Sequence, residues 1–169
     1  SAAIQVGKRL GARVIAVAST PVKREFAVHA GADQALPAEP EGFRGRLRSI
    51  CDGQGPDVVF DPLCGPLFEP AFRSLRWGGR HLVIGFAGGP IPSLPANLPL
   101  LKGAALVGVD VRQFQLYEAE RAASQLAEML AWVDDGILTP PIGRTFAFED
   151  FAAALAFAEG LAESGPAPR

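Results

Sequence analysis

The sequence predicts an α/β fold, a doubly wound parallel sheet, and three observations carry that expectation. Apolar runs at Asp57-Val58-Val59-Phe60-Asp61 and His81-Leu82-Val83-Ile84-Gly85 are continuous rather than alternating, the pattern of strands covered by helices on both faces. Strand-like and helix-like segments alternate along the chain, as a parallel sheet with right-handed crossovers requires. Both runs end in Gly/Pro-rich loops, Asp61-Pro62-Leu63-Cys64-Gly65 and Gly85-Phe86-Ala87-Gly88-Gly89. Ligands of such sheets bind at the carboxyl ends of the strands, so the domain is expected to hold something nucleotide-sized.

Residues 1–10 have apolar positions at near-helical spacing, and Gly11 supplies a stop. Residues 13–18 (RVIAVA) read as a buried strand. Residues 20–30 read as a helix with Pro21 in its first turn, where a missing N–H costs nothing. A short strand is expected at 34–36, and an amphipathic helix at 41–51 presenting Arg44, Arg46 and Arg48 to solvent. Strand 57–61, a helix near 67–75 and strand 80–85 follow, then a proline-rich loop over 90–99. Strand 104–109, a long helix over 118–135, an extended segment at 144–148 and an Ala-rich helix over 149–163 complete the pattern. Residues 164–169 read as a tail, and 1–163 as one dinucleotide-binding domain.

Composition narrows the class. A chain of 169 residues can enclose one core, and 49% hydrophobic with 20% charged residues is ordinary for a globular protein. The net charge of −2 argues against nucleic acid as a partner. Cys51 and Cys64 stand apart, with no Cys/His cluster, so no metal is expected and a cytoplasmic setting is the default. No apolar run reaches the length of a membrane span, and no leader pattern opens the chain.

One element is out of place. A doubly wound dinucleotide fold opens on a strand, a glycine-rich turn and a helix, whereas this sequence opens on the helix. The first strand and its phosphate loop are therefore expected to be lacking. Strands 13–18 and 57–61, which would flank it, should not pair directly; two strand spacings, roughly 10 Å, should separate them.

Residues 1–6 (SAAIQV), 10–17 (LGARVIAV) and Gly31-Ala32-Asp33 resemble the cofactor domain of medium-chain, zinc-type dehydrogenases/reductases. Residues 57–89 and Asn97-Leu98-Pro99-Leu100-Leu101-Lys102-Gly103 are similar to its zinc-free quinone oxidoreductase branch. The resemblance covers roughly residues 1–160 and implies a Rossmann-like domain of an NADPH-dependent reductase. It further implies a catalytic domain built from sequence on either side, which is absent here, so no catalytic residue is assigned.

Ala18 stands where an NAD-preferring relative of this fold places an acid on the ribose 2′-hydroxyl. With no carboxylate there and Ser19, Thr20, Lys23 and Arg24 following, NADP(H) is favoured. The resemblance puts the family's phosphate-binding lysine at Lys23; a solvated helix face is the plain alternative for it, and more so for Arg24. The same resemblance places Leu63, Gly85, Phe86 and Ala87 near the nicotinamide, with Asp110 and Val111 offering backbone groups to its carboxamide. Cys64 departs from the pattern, where a second glycine stands, and reads as a small apolar residue. His29 and His81 read as structural, Tyr117 receives no role, and Trp77 and Trp132 read as core or interface anchors.

The function these residues point to is hydride transfer from NADPH to a quinone, enone or similar conjugated carbonyl, a small-molecule substrate. The rival readings are an enoyl reductase module of a larger synthase and a non-catalytic nucleotide-binding or interaction domain. A methyltransferase-like fold is disfavoured, because it would want an acid where Ala18 stands. The uncharged run 104–109 is expected to be an edge strand that pairs two copies into a homodimer.

Overall fold

The computed structural model describes residues 1–164, with side chains described to residue 158. The chain forms two compact units: Ser1–Pro37 together with the chain from Glu128 onward, and Ala38–Ala127. Each unit holds one sheet, and within each sheet the strands pair in parallel.

In the first unit, α1 (Ala2–Arg9) ends before Gly11, whose φ of +77° suits glycine there. Strand β1 (Ile15–Ala18) leads through a tight turn into α2 (Pro21–His29) and then β2 (Gln34–Pro37). The strands pair in parallel, Ile15 opposite Gln34 and Ala18 opposite Pro37, with α2 packed on both. Asp33 joins this unit to α1: its carboxylate accepts from Lys8 Nζ at 2.8 Å and from the Val14 N–H at 2.7 Å. That second bond takes Val14 out of the ladder, so the strand begins later than position 13. Gln5 exchanges both amide bonds with the backbone of Thr139, at 3.0 and 2.9 Å. The segment predicted to be extended over 144–148 enters no sheet. It is held instead by Arg144, whose guanidinium lies 4.8 Å from the Phe146 ring and 5.4 Å from Phe157 of α8 (Phe151–Ser164).

The second unit contains α3 (Phe43–Ile50), β3 (Val58–Asp61), α4 (Phe68–Ser74), β4 (Arg80–Val83), α5 (Asn97–Lys102), β5 (Ala105–Gly108) and α6 (Val111–Tyr117). Its sheet runs β3-β4-β5, with Val58 opposite Arg80 and Arg80 opposite Ala105. Phe72, Leu75 and Leu98 form the buried centre, and Val59, Leu94 and Ala104 pack against it. Helix α7 (Ala119–Asp134) continues the chain out of this unit.

Several expectations change. Strand β3 is not buried on both faces: Val59 packs on the core while Val58 and Phe60 are 40% and 52% exposed. Apolar residues on a strand record its propensity as well as its burial, and the run alone does not separate the two. Helix α5 begins within the loop expected over 90–99, and α6 falls in 110–117, where no element was expected. Pro99 falls in the first turn of α5, where no N–H is needed, and Asp110 caps α6. Arg46 is not simply solvated; it donates to the carbonyls of Glu41 and Glu39 at 2.7 and 2.5 Å. Trp77 is 80% exposed and lies over Gly103, so it is no core anchor, whereas Trp132 is half-buried under the Arg9 guanidinium. The tail predicted for 164–169 lies, beyond Ser164, outside the described residues. No helix among the described residues is long and apolar enough to cross a membrane.

Candidate functional site: the carboxyl ends of the strands

The turn after β1 follows directly from its sequence. Thr20 is extended (φ −111°, ψ 153°), and its side chain accepts from the Lys23 N–H at 3.2 Å, capping α2. Pro21 then starts the helix with its φ already fixed. Ser19 and Thr20 are exposed, and Lys23 and Arg24 are half-buried. Arg24 folds back over the turn: its Nη1 donates to the Ala18 carbonyl at 3.0 Å and the Ser19 carbonyl at 3.3 Å. Among the described residues neither Lys23 nor Arg24 forms an ion pair. The structure thus places two uncompensated cations beside a strand end that carries no acid. The bonds of Arg24 were not readable in the sequence, because helical spacing does not reveal a contact from a side chain to carbonyls five and six residues earlier.

The loops after β3 and β4 are joined by backbone. The Gly88 N–H donates to the Leu63 carbonyl at 2.8 Å, and the Ala87 N–H reaches the Pro62 carbonyl at 3.5 Å. A side chain at Gly88 would place its Cβ 2.7 Å from Gly65 Cα and 2.8 Å from the Leu63 oxygen; one at Gly85 would lie 3.1 Å from the Pro62 oxygen. Glycine is therefore required by contact at Gly88, and favoured at Gly85. Leu63, Gly85, Phe86 and Ala87 are brought together on this paired loop, with Leu63 and Phe86 about half exposed. Asp110 and Val111 follow β5, the next strand of the same sheet. There the Asp110 carboxylate accepts from the Arg112 N–H at 2.9 Å and pairs with its guanidinium, which holds the carboxyl below its ordinary range. The side chain of Asp110 is committed to the start of α6.

Beneath the loop lies a pair that the motifs did not single out. Asp61 Oδ1 accepts from the backbone of Leu63 and Cys64 at 3.0 and 2.8 Å, an Asx-type turn. Its Oδ2 lies 3.1 Å from Nε2 of His81, which is wholly buried between the rings of Phe68 and Phe72. A carboxylate facing Nε2 fixes the proton there, and Nδ1 finds no partner. Burial pushes the His81 pKa down, against the opposing pull of Asp61. The acid followed by proline at a strand end was the readable signal; its partner depended on strand register. Cys64 is buried with φ +46°, in the left-handed region that favours glycine, and burial, with the Asp61 charge second, raises its thiol pKa. Its reading as a small apolar residue fits this geometry. His29 likewise bonds within its own helix, Nδ1 lying 2.9 Å from the Glu25 carbonyl.

Each unit thus carries parallel strands with connecting helices and a loop or turn at the strands' carboxyl ends, the arrangement of a nucleotide-binding α/β fold. The chain belongs to the zinc-binding dehydrogenase family, which it matches over residues 1–132. It is 33% identical over 141 residues to quinone oxidoreductase-like protein 2 of Bos taurus, covering 83% of this chain and 40% of that protein. A mycobacterial protein solved in complex with NADPH superposes with a TM-score of 0.79 at 27% identity, over 93% of this chain and 49% of its own. The nucleotide-binding subdomain of an enoylreductase domain from Mycobacterium tuberculosis gives 0.67 at 27% identity, over 82% of this chain and 77% of its own. The chain spans about two-fifths of the length of the curated relatives it matches. Zinc does not fit the described residues, which contain no group of three His, Cys, Asp or Glu side chains able to hold a metal ion.

Proposed function

We propose that this chain binds NADP(H) within a zinc-independent oxidoreductase that transfers hydride to a quinone, enone or similar conjugated carbonyl. The observation that carries the reading is the end of β1, where Ala18 is followed by Ser19, a capping Thr20 and two unpaired cations. A carboxylate at that place would hold a ribose 2′-hydroxyl and repel a 2′-phosphate; cations without one favour the phosphate. Ser19, Thr20 and Lys23 would receive that group. Leu63, Gly85, Phe86 and Ala87 would receive the nicotinamide half, with Asp110 and Val111 contributing backbone groups. Bound there, the cofactor supplies the hydride, and the chain's part is to hold and orient it. The tight approach at Gly85 and Gly88 lets backbone rather than side chains face the ligand.

Titrating NADPH and NADH against the full-length protein tests the reading, with NADPH expected to bind more tightly. Ala18→Asp should reverse the order, by adding repulsion for the phosphate and an acceptor for the hydroxyl. Equal affinity for the two cofactors in the unmodified protein would defeat it. The likeness to an enoylreductase subdomain over most of its length supports a second reading, an enoyl reductase module of a synthase. Turnover of an enoyl thioester against a quinone separates the two.

The reading extends to assembly and place. Strand β5 ends the sheet, with Leu106 42% exposed and no charge before Asp110. Such an edge is a template for pairing, so a homodimer through 104–109 is proposed, and a monomer by light scattering at micromolar concentration would refute it. A sequence with two cysteines and no cysteine-rich framework favours the cytoplasm.

A further inference from the structure

Arg24 carries five N–H donors in a planar fork, and the structure accounts for two of them. Both lie on Nη1, which bonds the Ala18 and Ser19 carbonyls at 3.0 and 3.3 Å. The Nε and Nη2 hydrogens, which form one bidentate edge of the fork, have no hydrogen-bond partner among the described residues. The side chain is half-buried, it has no carboxylate partner, and the neighbouring Lys23 carries the same charge. Two carbonyls orient a guanidinium without neutralising it, and a partly buried cation without a counterion is unfavourable until an anion arrives. The tether also removes most of the side-chain freedom that binding would otherwise have to freeze.

We propose that Arg24 is a second specificity-determining cation of the cofactor site, presenting its Nε/Nη2 edge to the 2′-phosphate of NADPH beside Lys23. This rests on the NADP(H) reading above. A planar fork suits a phosphate bidentately, whereas the Lys23 ammonium acts as a point charge. The two cations therefore have separable parts: Lys23 supplies attraction from a flexible stem, and Arg24 fixes where the phosphate sits. Because Arg24 also holds the Ala18 and Ser19 carbonyls, a phosphate bound to it would be tied to the turn itself.

The test is calorimetric titration of NADPH and NADH at low and high salt, on the full-length protein and on Arg24→Ala, Arg24→Gln and Arg24→Lys. Arg24→Gln keeps an amide able to donate to the two carbonyls but removes the charge. Arg24→Ala and Arg24→Gln should each weaken NADPH binding roughly tenfold or more and leave NADH within about twofold. Their NADPH affinity should also depend less on salt. Arg24→Lys should recover part of the loss. Equal losses for both cofactors, or no loss for NADPH, in a protein that prefers NADPH would overturn the role of Arg24 alone. Preference of the unmodified protein for NADH would overturn the NADP(H) reading and this inference with it.

Discussion

The turn after β1 and the paired loops after β3 and β4 occupy equivalent places, the carboxyl ends of parallel strands, but are built differently. At the first, side chains do the work: Thr20 caps, Arg24 reaches back to two carbonyls, and Lys23 stays uncompensated. At the second, the shape is set by backbone against backbone, with Gly88 touching Gly65 and Leu63, and Asp61 latching two amides from below. A charged turn can change its ligand preference by one substitution without losing its fold. A backbone clasp admits almost no substitution, because the displaced atoms cannot rotate away. Discrimination between cofactors is therefore expected at the first region and placement of the reacting ring at the second.

That contrast can be broken most directly at Gly88. Gly88→Ala would drive a methyl into Gly65 Cα and the Leu63 oxygen, so destabilisation of about 2–4 kcal/mol is expected. Loss of affinity for NADPH and NADH alike should accompany it. Thermal or urea unfolding alongside cofactor titration would measure both, and a variant of unchanged stability would show that the clasp yields. Next in size is Lys23→Ala, which would remove the proposed charge-assisted contact to the 2′-phosphate, of a kind worth about 1.5–3 kcal/mol. It should weaken NADPH binding roughly ten- to a hundredfold with little effect on NADH or on stability. An equal effect on both cofactors would move Lys23 from recognition to support of the fold.

Thr20→Ala should be smaller and mixed in character. It removes the α2 cap, at about 1 kcal/mol of stability, and Thr20→Ser should restore it, since the hydroxyl is the acceptor. A cost that serine does not recover would mean that the methyl, not the oxygen, holds the turn. The smallest effect expected is the pH dependence of the second region. The His81 pKa is lowered in the folded chain from its ordinary 6.5, so below that value the unfolded state binds more protons. Stability from this group is intact above about pH 6.5 and falls as the pH drops toward the folded-state value. Replacing His81 with Phe, between Phe68 and Phe72, should flatten that slope in denaturant titrations across pH 5–7. An unchanged slope would assign the dependence to other groups.

How much of this was legible in the sequence follows the same division. The order of strands and helices was readable because the runs at 57–61, 81–85 and 104–109 are closed by Gly or an acid and the run at 13–18 by Ser19-Thr20-Pro21, which with Gly11 also marked the termini of α1 and α2. Helix α6 was not, because its seven residues are too few to show a helical period and a single Asp110 is its only start signal. Burial was overstated at Val58 and Phe60, since a parallel-strand pattern does not say which face a helix covers. Ser19, Thr20, Lys23 and the glycine loops were visible as residue types at the ends of strands. Arg24 and His81 were visible too, but their partners were not, because each acquires them through a turn or a register that spacing does not encode.

The conformation of Cys64 makes this domain self-reporting. The residue is 1% exposed at the foot of the paired loops, and burial, with the Asp61 charge second, raises its thiol pKa. An alkylating or disulfide reagent reaches it only through local opening, so its labelling rate, read by peptide mass spectrometry apart from the more accessible Cys51, counts opening events, much as amide exchange does for a strand. Ligand that closes the loop would slow the reaction in proportion to occupancy. The same buried sulfur that stands where glycine would relax the backbone thus offers a clock for loop motion without any introduced probe.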